Sequence, residues 1–304
     1  MKNIGKITLC WWNTSLSPHS QENKATDEHK AYVLLTLSRL LYEKSVDVMC
    51  LCEVSPEDIL FISEVITGAD YKIYNGAVRD GRKKFDLCVI YRSSILEFTE
   101  ASIVRKPYFN GYMHAAQKVH FSILETNEPL VLFLVHWSSR LHDYEDSPKK
   151  SELGMLLRQA IDDCSDVLKI KKIIVIGDFN EEPFNKSITD HLHASRDIVL
   201  VKKQPKLLYN PFWRHLVYSQ LHPNTESSKS HGGTYYYKND QVSKWKTFDQ
   251  MMFSSDFING SSWFLNEKET IVYSDEGFIN YVNSSKSKFD HLPIISVIER
   301  VNHE

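Results

Sequence analysis

The sequence lacks the features that mark several large classes of protein. Its 304 residues include five cysteines, an odd number without any Cys-x-x-Cys spacing, which predicts buried apolar side chains rather than zinc ligands or disulfides. The formal net charge of −3 excludes binding of polyanions through overall positive charge and leaves such binding to local patches or to a metal. No internal repeat or low-complexity linker interrupts the chain.

Long apolar runs are also missing. No stretch approaches the length needed to cross a bilayer, and the chain begins in a strand pattern without a charged and then apolar leader. We therefore expect no membrane span and a cytoplasmic location. What is present is the composition of a globular protein, with 42% hydrophobic and 25% charged residues, and the uninterrupted pattern favours a single domain over residues 1–304.

The most informative segment covers residues 172–180. A short apolar run of branched residues ends at Gly177 and is followed by Asp178 and Asn180. Such a run predicts a buried strand. Gly177 permits a tight turn, so the carboxylate and the amide are expected at the strand exit, where side chains can converge on a ligand.

Further strand-like runs carry polar residues at their ends. Asn13 follows residues 7–12, Glu53 follows 48–52, His136 follows 130–135, Asp249 precedes 250–253, and Asp290 and His291 precede 292–295. Burial of a carboxylate at the end of an apolar strand costs free energy unless it is paired, hydrogen-bonded or bound to a metal. The pattern therefore predicts that these strand ends meet at one polar site.

In their order, the motifs resemble those of the endonuclease/exonuclease/phosphatase superfamily, which includes proteins like deoxyribonuclease I and exonuclease III. They are Trp12-Asn13, Leu51-Cys52-Glu53-Val54, His136, Gly177-Asp178-Phe179-Asn180, Phe248-Asp249-Gln250 and Phe289-Asp290-His291-Leu292-Pro293. The resemblance spans nearly the whole chain and is specific for the superfamily, but not for its substrate. It implies an α+β fold, a four-layer αββα sandwich of two mainly antiparallel sheets flanked by helices, with the active site where the sheets open at one edge.

Local patterns predict the outer helices and the remaining strands. Helical spacing of apolar residues covers residues 27–43, and Ser55-Pro56-Glu57-Asp58 and Ser147-Pro148 are typical helix starts. The third helix is expected to end near residue 169. Successive strands are expected at residues 71–74, 85–91, 96–104 and 118–124.

Hydrolysis of a phosphate ester requires an attacking water, neutralisation of the phosphoryl charge and help for the leaving oxygen. Mg²⁺ suits these tasks and prefers carboxylate and amide oxygens, with Mn²⁺ as an alternative. The resemblance implies that Glu53 ligates this metal and that Asn13 contacts the metal or the phosphate. Asp290 is a further candidate for the metal side of the site.

The resemblance also implies the roles of three residues at the centre of the chain. Asp178 and Asn180 position or polarise the attacking water and hold the phosphate. His136 donates a hydrogen bond to the scissile phosphate. Without the ordered partners, each of these would be read as a turn or core residue.

His291 is the expected acid, base or phosphate-stabilising group. An imidazole in this role needs a carboxylate that holds its tautomer and raises its pKa. The family pattern assigns that role to Asp249, and neighbouring strand residues such as Asp290 and His291 point to opposite faces. Whether His291 acts as general base or stabilises the phosphate is open.

Basic and aromatic residues are mixed in residues 202–215 and 235–246, and a basic turn covers residues 79–84. Cations and flat rings around a metal site suit a polyanion whose bases can stack. The candidate substrate-binding residues are Tyr108, Tyr209, Trp213, Arg214 and Trp245. The alternative is that these loops are solvated and their aromatic residues pack the edge of the domain.

The sequence therefore predicts a Mg²⁺- or Mn²⁺-dependent phosphodiesterase that hydrolyses nucleic acid, DNA or RNA, through an activated water. A second hypothesis is a phosphoesterase for a small substrate: an inositol phosphate, a phospholipid head group or a nucleotide. A third is a non-catalytic scaffold on the same fold, which the retained acids and His291 disfavour. The choice between DNA and RNA, the mode of cleavage and the oligomeric state are open.

Overall fold

The computed structural model describes residues 5–18, 25–66, 70–80, 83–217, 232–259, 262–274, 276–284 and 287–300. The strands are β1 Lys6–Asn13, β2 Val48–Cys52, β3 Tyr71–Asn75, β4 Arg79–Asp80, β5 Lys83–Lys84, β6 Cys88–Arg92, β7 Leu96–Tyr108, β8 Gly111–Ile123, β9 Glu128–His136, β10 Ile173–Asp178, β11 Ala194–Ser195, β12 Leu208–Tyr209, β13 Tyr235–Tyr236, β14 Trp245–Lys246, β15 Asp249–Ser254, β16 Trp263–Val272 and β17 Ile294–Arg300. The α-helices are α1 Asp27–Ser38, α2 Pro56–Val65, α3 Pro148–Asp162, α4 Ile198–Lys203 and α5 Glu276–Val282. Short π-helical turns cover Arg39–Glu43, Asp163–Val167 and Ser187–His191, and 3₁₀ turns cover Pro211–His215 and Ser255–Phe257.

Two large sheets form the centre of the described chain. One has six strands in the order β16-β17-β1-β2-β6-β3, and the other has seven in the order β11-β12-β15-β10-β9-β8-β7. Within these two sheets neighbouring strands are antiparallel, except for the parallel pairs β1–β2, β9–β10 and β11–β12. The predicted α+β fold of two mainly antiparallel sheets with flanking helices is confirmed.

Apolar side chains on both faces of the central strands produce the four layers. In β1, Leu9 and Trp11 enter the core between the sheets, whereas Cys10 and Trp12 face α1 and the loops around it. In β10, Ile174 and Ile176 enter the same inter-sheet core, and its alternate residues face α3. A strand that is covered on both faces has to be apolar at every position, which explains the continuous apolar runs in the sequence.

The predicted helix starts are confirmed and anchor the loops next to the site. The Ser55 hydroxyl accepts from the backbone N–H of Asp58, whose carboxylate accepts from the backbone N–H of Ser55, with Pro56 in the first turn. The Ser147 hydroxyl caps α3 by accepting from the backbone N–H of Lys150. The π-helical turns extend α1 and α3 towards the predicted ends.

The chain differs from the sequence-based expectation mainly at β7 and β8. Both strands are longer than predicted and form a hairpin of 13 residues on each side. The segment 105–117 contains Pro107 and several charged or polar residues, which predict a turn rather than a strand. Because β7 is the edge strand of its sheet, Pro107 removes no ladder hydrogen bond there and is tolerated.

Some predicted features lie outside the described residues: residues 19–24 of the polar loop after Asn13, and Arg82 of the basic turn. No helix in the described part of the chain has both the length and the apolar sequence that crossing a bilayer requires.

Candidate active site

Strand register alone brings the central residues together. Asp178, the last residue of β10, pairs with His136 at the end of β9 on one side and with Asp249 at the start of β15 on the other. In the second sheet, Asn13 pairs with Cys52, and Glu53 follows directly. The residues at the ends of β9, β10 and β15 and those at the ends of β1 and β2 therefore lie at one common edge, where the two sheets open.

Asp249 and His291 form a buried hydrogen-bonded pair. The Nδ1 of His291 donates to Asp249 Oδ2 at 2.7 Å, and the other Asp249 oxygen accepts from Trp11 Nε1 at 2.8 Å. Burial alone would lower the pKa of His291, but the charges of Asp249 and Asp178 raise it well above its usual value. The predicted orienting role of Asp249 therefore has the required geometry, with Nε2 of His291 left to face the cleft.

Asp178 and Asn180 form a rigid turn opposite His291. Asp178 Oδ1 accepts from the backbone N–H of Asn180 at 2.8 Å and from its amide Nδ2 at 3.0 Å. Asn180 has a φ of 49°, a left-handed conformation that Asn tolerates better than most residues. These bonds occupy Oδ1 and leave Oδ2, which lies 3.7 Å from His291 Nε2.

His136 is oriented by Asp86, a residue that the sequence-based prediction missed. Its Nδ1 lies 3.0 Å from Asp86 Oδ2, and its Nε2 lies 3.9 Å from Glu53 Oε1. Burial acts to lower the pKa of His136, but the charges of Asp86, Asp178 and Glu53 raise it to about 9. Asp86 precedes an apolar strand run in the same way as Asp249, so the signal that identified Asp249 also applied to Asp86.

Glu53 and Asp290 form the acidic end of the site. Asn13 Nδ2 donates to Glu53 Oε1 at 3.2 Å, and the Ser15 hydroxyl donates to Asp290 Oδ1 at 3.2 Å. Burial and the nearby charges of Asp290 and Asp86 raise the pKa of Glu53 to about 7. The pKa of Asp290 is also raised, by burial and by the charge of Asp178.

This surplus of negative charge fits a divalent cation, whose preferred ligands are carboxylate oxygens. Ligand atoms of Asp178, Asp249 and His291 lie within 4.8 Å of one another, but both oxygens of Asp249 are occupied by hydrogen bonds. The carboxylates of Glu53 and Asp290 remain accessible, with side-chain exposures of 18% and 47%. The assignment of Glu53 and Asp290 as metal ligands stays a prediction, and Asn13 donates a hydrogen bond to Glu53.

Two cations behind the site hold the ends of β9 and β10 together, and sequence reasoning missed both. Lys150 of α3 is fully buried, and its Nζ donates to the carbonyls of Ser138 at 2.7 Å and of Phe179 at 3.0 Å. Arg140 donates through Nε to the carbonyl of Asn180 at 3.1 Å. A lysine in the first turn of an amphipathic helix carries no sequence signal for such a role.

Tyr235 lies over His291, with the ring centroids 4.6 Å apart. Its other neighbour is Phe248, at 5.1 Å in a stacked arrangement. Burial and the charges of Asp290 and Asp178 raise the pKa of Tyr235, so that its hydroxyl stays protonated. The sequence placed Tyr235 in a basic and aromatic stretch but did not single it out.

The predicted substrate-binding residues are not brought together. Trp245 lies on β14, opposite Tyr236 of β13, and the two rings pack 5.0 Å apart against the apolar cluster around α1. Tyr108 lies at the tip of the β7–β8 hairpin, beyond the cluster. Their roles in substrate binding stay predictions.

The other three lie away from the acidic cluster. Tyr209 is buried and pairs with Phe253, four residues along β15 from Asp249, which corresponds to about 13 Å. Its hydroxyl and the guanidinium of Arg214 both bond Glu267. Trp213 packs under Arg196, at 4.6 Å. Core packing and ion pairs therefore hold these side chains, and the sequence pattern cannot distinguish such pairing from a free basic loop.

The fold and the gathered side chains define a class of phosphoester hydrolases. A family model described as Endonuclease/Exonuclease/phosphatase family matches residues 14–291. The chain therefore belongs to the endonuclease/exonuclease/phosphatase family, whose members hydrolyse phosphoester bonds. No curated protein matches the chain.

Solved structures with a similar fold differ in their substrates and ligands. The catalytic domain of human Nocturnin with bound sulfate has a TM-score of 0.61 and 15% identity, covering 97% of this chain and 95% of its own. A mannosyl-6-phosphatase of Bacteroides thetaiotaomicron has a TM-score of 0.60 and 14% identity, covering 97% and 100%. TDP2 of D. rerio with a single-strand DNA product has a TM-score of 0.57 and 16% identity, covering 97% and 99%. At these identities the likeness shows the fold.

Proposed function

We propose that the protein is a divalent-metal-dependent phosphodiesterase that cleaves nucleic acid, DNA or RNA, by attack of an activated water. One observation carries the proposal: the Asp249–His291 pair faces Asp178 across 3.7 Å, at the same sheet edge as Glu53 and Asp290. Proton-transfer groups and accessible metal-type ligands thus border one cleft.

Glu53 and Asp290 would hold the metal, with Asn13 and Ser15 orienting their carboxylates. A bound Mg²⁺ or Mn²⁺ would neutralise the phosphoryl oxygens and stabilise the leaving oxygen. Its binding would also offset the burial and the neighbouring negative charges that raise the pKa values of both acids.

The other residues of the cluster would position the water and the phosphate. Asp178 Oδ2 and His291 Nε2 border the place where a water can bond both atoms. Asp178 Oδ2 can take the proton of this water, whereas His291, whose pKa is raised by the neighbouring carboxylates, can stabilise the phosphate. His136 would donate to a phosphoryl oxygen, because its Nδ1 is engaged by Asp86 and its Nε2 faces Glu53. The protonated hydroxyl of Tyr235 is a further donor at the same cleft.

A small phosphoester is the second candidate, and one observation favours it. Three cations close in sequence to the predicted substrate-binding residues Tyr108 and Trp213 are paired with carboxylates: Arg105 with Asp80, Lys106 with Glu152 and Arg214 with Glu267. Pairing weakens the attraction of these surfaces for a long polyanion. The TDP2 structure holds DNA, and the Bacteroides enzyme is a sugar phosphatase, so the fold is compatible with either substrate class.

The deciding experiment is a substrate panel with labelled single- and double-stranded DNA and RNA and a set of small phosphoesters. We expect EDTA to abolish cleavage of at least one nucleic acid, and added Mg²⁺ or Mn²⁺ to restore it. Glu53→Gln should lower kcat by at least about a hundredfold, because it removes a charged ligand. Glu57→Gln, on the exposed first turn of α2, is the matched control and should leave activity unchanged.

A direct binding measurement separates metal loss from misfolding. Titration of the folded Glu53→Gln variant with Mn²⁺ by calorimetry should show weakened binding beside an unchanged melting temperature. Hydrolysis of small phosphoesters alone would support the second candidate instead. Turnover of no substrate in the panel, with the metal bound, would contradict both and favour the non-catalytic scaffold.

A further inference from the structure

The β7–β8 hairpin projects beyond the candidate active site as an arm. In the β8–β9 ladder Gln117 pairs with Leu134, so the position level with His136 is Ala115, whose carbonyl accepts from Trp137 Nε1 at 3.0 Å. Asn110 at the tip is five residues further along, about 17 Å at the rise of a strand. The end of the arm therefore extends past the strand ends that carry the catalytic cluster.

A row of side chains connects the arm to the cluster. Asp86 bonds His136, and its neighbour Phe85 packs edge-on against His114 of β8 at 5.2 Å. Tyr112 follows at 6.2 Å from His114, on the same face of the strand. This face is the one that continues the cleft between the two sheets, because Phe85 belongs to the inter-sheet core.

The outer part of this row is an exposed aromatic ring held by a guanidinium and an ion pair. The Arg105 guanidinium lies 4.2 Å from the ring centre of Tyr112, and Asp80 bonds both Arg105 and His114. Tyr112 is nevertheless 50% exposed. A ring that is held in place but left open to solvent is preorganised for a planar ligand, which loses little entropy on stacking.

The charge around the arm suits an anionic strand only moderately. Arg79 and Lys84 of the neighbouring β4–β5 ladder are exposed, whereas Arg105 is paired with Asp80. Stacking, rather than charge, is therefore the main contribution that this surface can make. Aromatic stacking of this kind is tolerant of base identity, because every base has a flat face.

We propose that Tyr112, backed by Arg105, is a stacking subsite for an unpaired base of a single-stranded nucleic acid whose scissile phosphate lies at the His136–His291 cluster. The inference rests on the proposed function and narrows it: the preferred substrate is a single strand several nucleotides long. Tyr112 lies three residues, about 10 Å, along β8 from Ala115, the position level with His136. The stacked base is therefore a near neighbour of the cleaved bond. A base within a duplex has both faces covered and cannot use this surface.

A lipid surface fits the arm less well. Phe109, 90% exposed, is the apolar side chain at its tip, and its neighbours are Asn110 and Gly111. Insertion into a membrane requires a larger apolar tip. Tyr112 and Arg105, moreover, lie on the face that continues the cleft rather than at the tip.

The test uses single-stranded oligonucleotides of two to ten residues with the full-length protein. We expect KM of the wild type to fall with length until the strand reaches the arm. Tyr112→Ala should raise KM for the longer strands about tenfold with little change in kcat, and Tyr112→Trp should keep the wild-type KM. Tyr42→Ala is the matched control. Tyr42 is 52% exposed on the helical turn Arg39–Glu43 and packs on Tyr71, at the end of β3 that lies away from the candidate active site.

Two further measurements separate the possible failures. Hydrolysis of bis(p-nitrophenyl) phosphate reports the catalytic cluster alone. If this hydrolysis proceeds, but KM for single strands depends neither on their length nor on Tyr112, the subsite is overturned and the proposed chemistry stands. If no strand is cleaved by the wild type, the proposed function fails and the subsite with it. Loss of binding to phosphatidylserine vesicles in Tyr112→Ala, with strand cleavage unaffected, would overturn the subsite in favour of a membrane contact.

Discussion

At the residue scale, the reactive groups owe their orientation to partners outside the sequence motifs. Trp11 donates to Asp249, and Asp86 bonds His136. Each bond helps to fix the direction of a side chain: Asp249 Oδ2 meets Nδ1 of His291, and Nε2 of His136 faces Glu53. The reactive groups could be predicted because a polar residue at the end of an apolar strand is unusual. A tryptophan within such a strand is ordinary core, so its role could not be predicted.

His29 shows how a residue outside the cluster supports it. It is buried in the first turn of α1, with Nε2 2.9 Å from the carbonyl of Thr14 and its ring stacked 4.0 Å from that of Phe289. Thr14 follows Asn13, and Phe289 precedes Asp290. His29 therefore connects the segment that carries Asn13 with the segment that carries Asp290.

Stability should depend on pH through His29. Burial lowers its folded-state pKa, and its Nδ1 has no hydrogen-bond partner among the described residues. Below an unfolded pKa of about 6.5 the unfolded chain binds a proton that the folded chain does not, so the free energy of unfolding falls as pH falls. His29→Gln removes this contribution and should flatten the dependence between about pH 7 and 5.

Urea unfolding of both proteins at several pH values measures the difference. The difference in the slope of unfolding free energy against pH cannot exceed about 1.4 kcal/mol per pH unit, because one proton is involved. Carboxylates and the other buried histidines titrate in both proteins and cancel in the comparison. Parallel pH dependences for wild type and variant would contradict the expected role of His29.

At the element scale, α3 supports the Asp178–Asn180 turn through the side chain of Lys150. Lys150 contacts the carbonyls of Ser138 and Phe179, which follow the ends of β9 and β10. Burial lowers the pKa of Lys150 to about 8, against the opposing charges of Glu181 and Asp178. A lysine that is buried at this cost indicates that its position matters.

Lys150→Met should reduce activity more than stability. The change leaves two carbonyls without their donor, at about 1–3 kcal/mol each, but it also removes the cost of burying the ammonium group. We expect kcat to fall at least about tenfold with KM little changed, because a loosened Asp178–Asn180 turn misplaces the reacting groups by a fraction of an ångström. The melting temperature and kcat of both proteins provide the measurement.

The adjacent Lys149 provides the control for this element. Its side chain is partly exposed and pairs with Asp143 at the surface. Lys149→Met should therefore leave kcat near the wild-type value. A similar loss of kcat in both variants, or an unchanged kcat in Lys150→Met, would show that α3 does not position the Asp178–Asn180 turn.

The elements differ in how well the sequence predicts them. The helix starts at Ser55 and Ser147 follow from short-range rules, since a cap and a first-turn proline need only neighbouring residues. The length of β7 and β8 does not follow from such rules, because their outer halves mix polar and apolar residues and depend on each other for pairing. The arm is visible only once the hairpin register is known.

At the scale of the whole molecule, the two sheets share one core. It combines residues of β1, β2 and β17 from one sheet with residues of β9, β10 and β15 from the other. The first and last strands pair directly, with Lys6 opposite Glu299. The sheet that contains β1 and β17 therefore needs both segments, and the single domain over residues 1–304 stays a prediction that unfolding measurements can test.

Unfolding should accordingly be a single cooperative transition. Tryptophan fluorescence reports Trp11 and Trp263 of one sheet and Trp137 beside the other, whereas far-ultraviolet circular dichroism reports all elements. We expect the two signals to change with the same midpoint, and the calorimetric and van't Hoff enthalpies to agree. Two resolved transitions would mean that the sheets belong to separately folding units.

The family and the fold were predictable at this scale, because six dispersed motifs keep the order of a known family and that order implies the fold. The substrate-facing surface was not predictable. Tyr209 and Arg214 share the composition of a nucleic-acid loop but bond Glu267, which lies 53 or more residues away in sequence. Composition reports which charges are present, and only the fold decides which of them are already neutralised.

The sequence by itself determined the inventory of reactive groups, the strands that carry them and the family to which they belong, because local side-chain patterns encode burial and turns. Only the tertiary structure decided which groups meet. Trp11 reaches Asp249 across 238 positions of the chain, and His136 reaches Asp86 across 50. Such pairings follow from strand register and from the packing of two sheets, and these depend on the whole set of long-range contacts rather than on any local pattern.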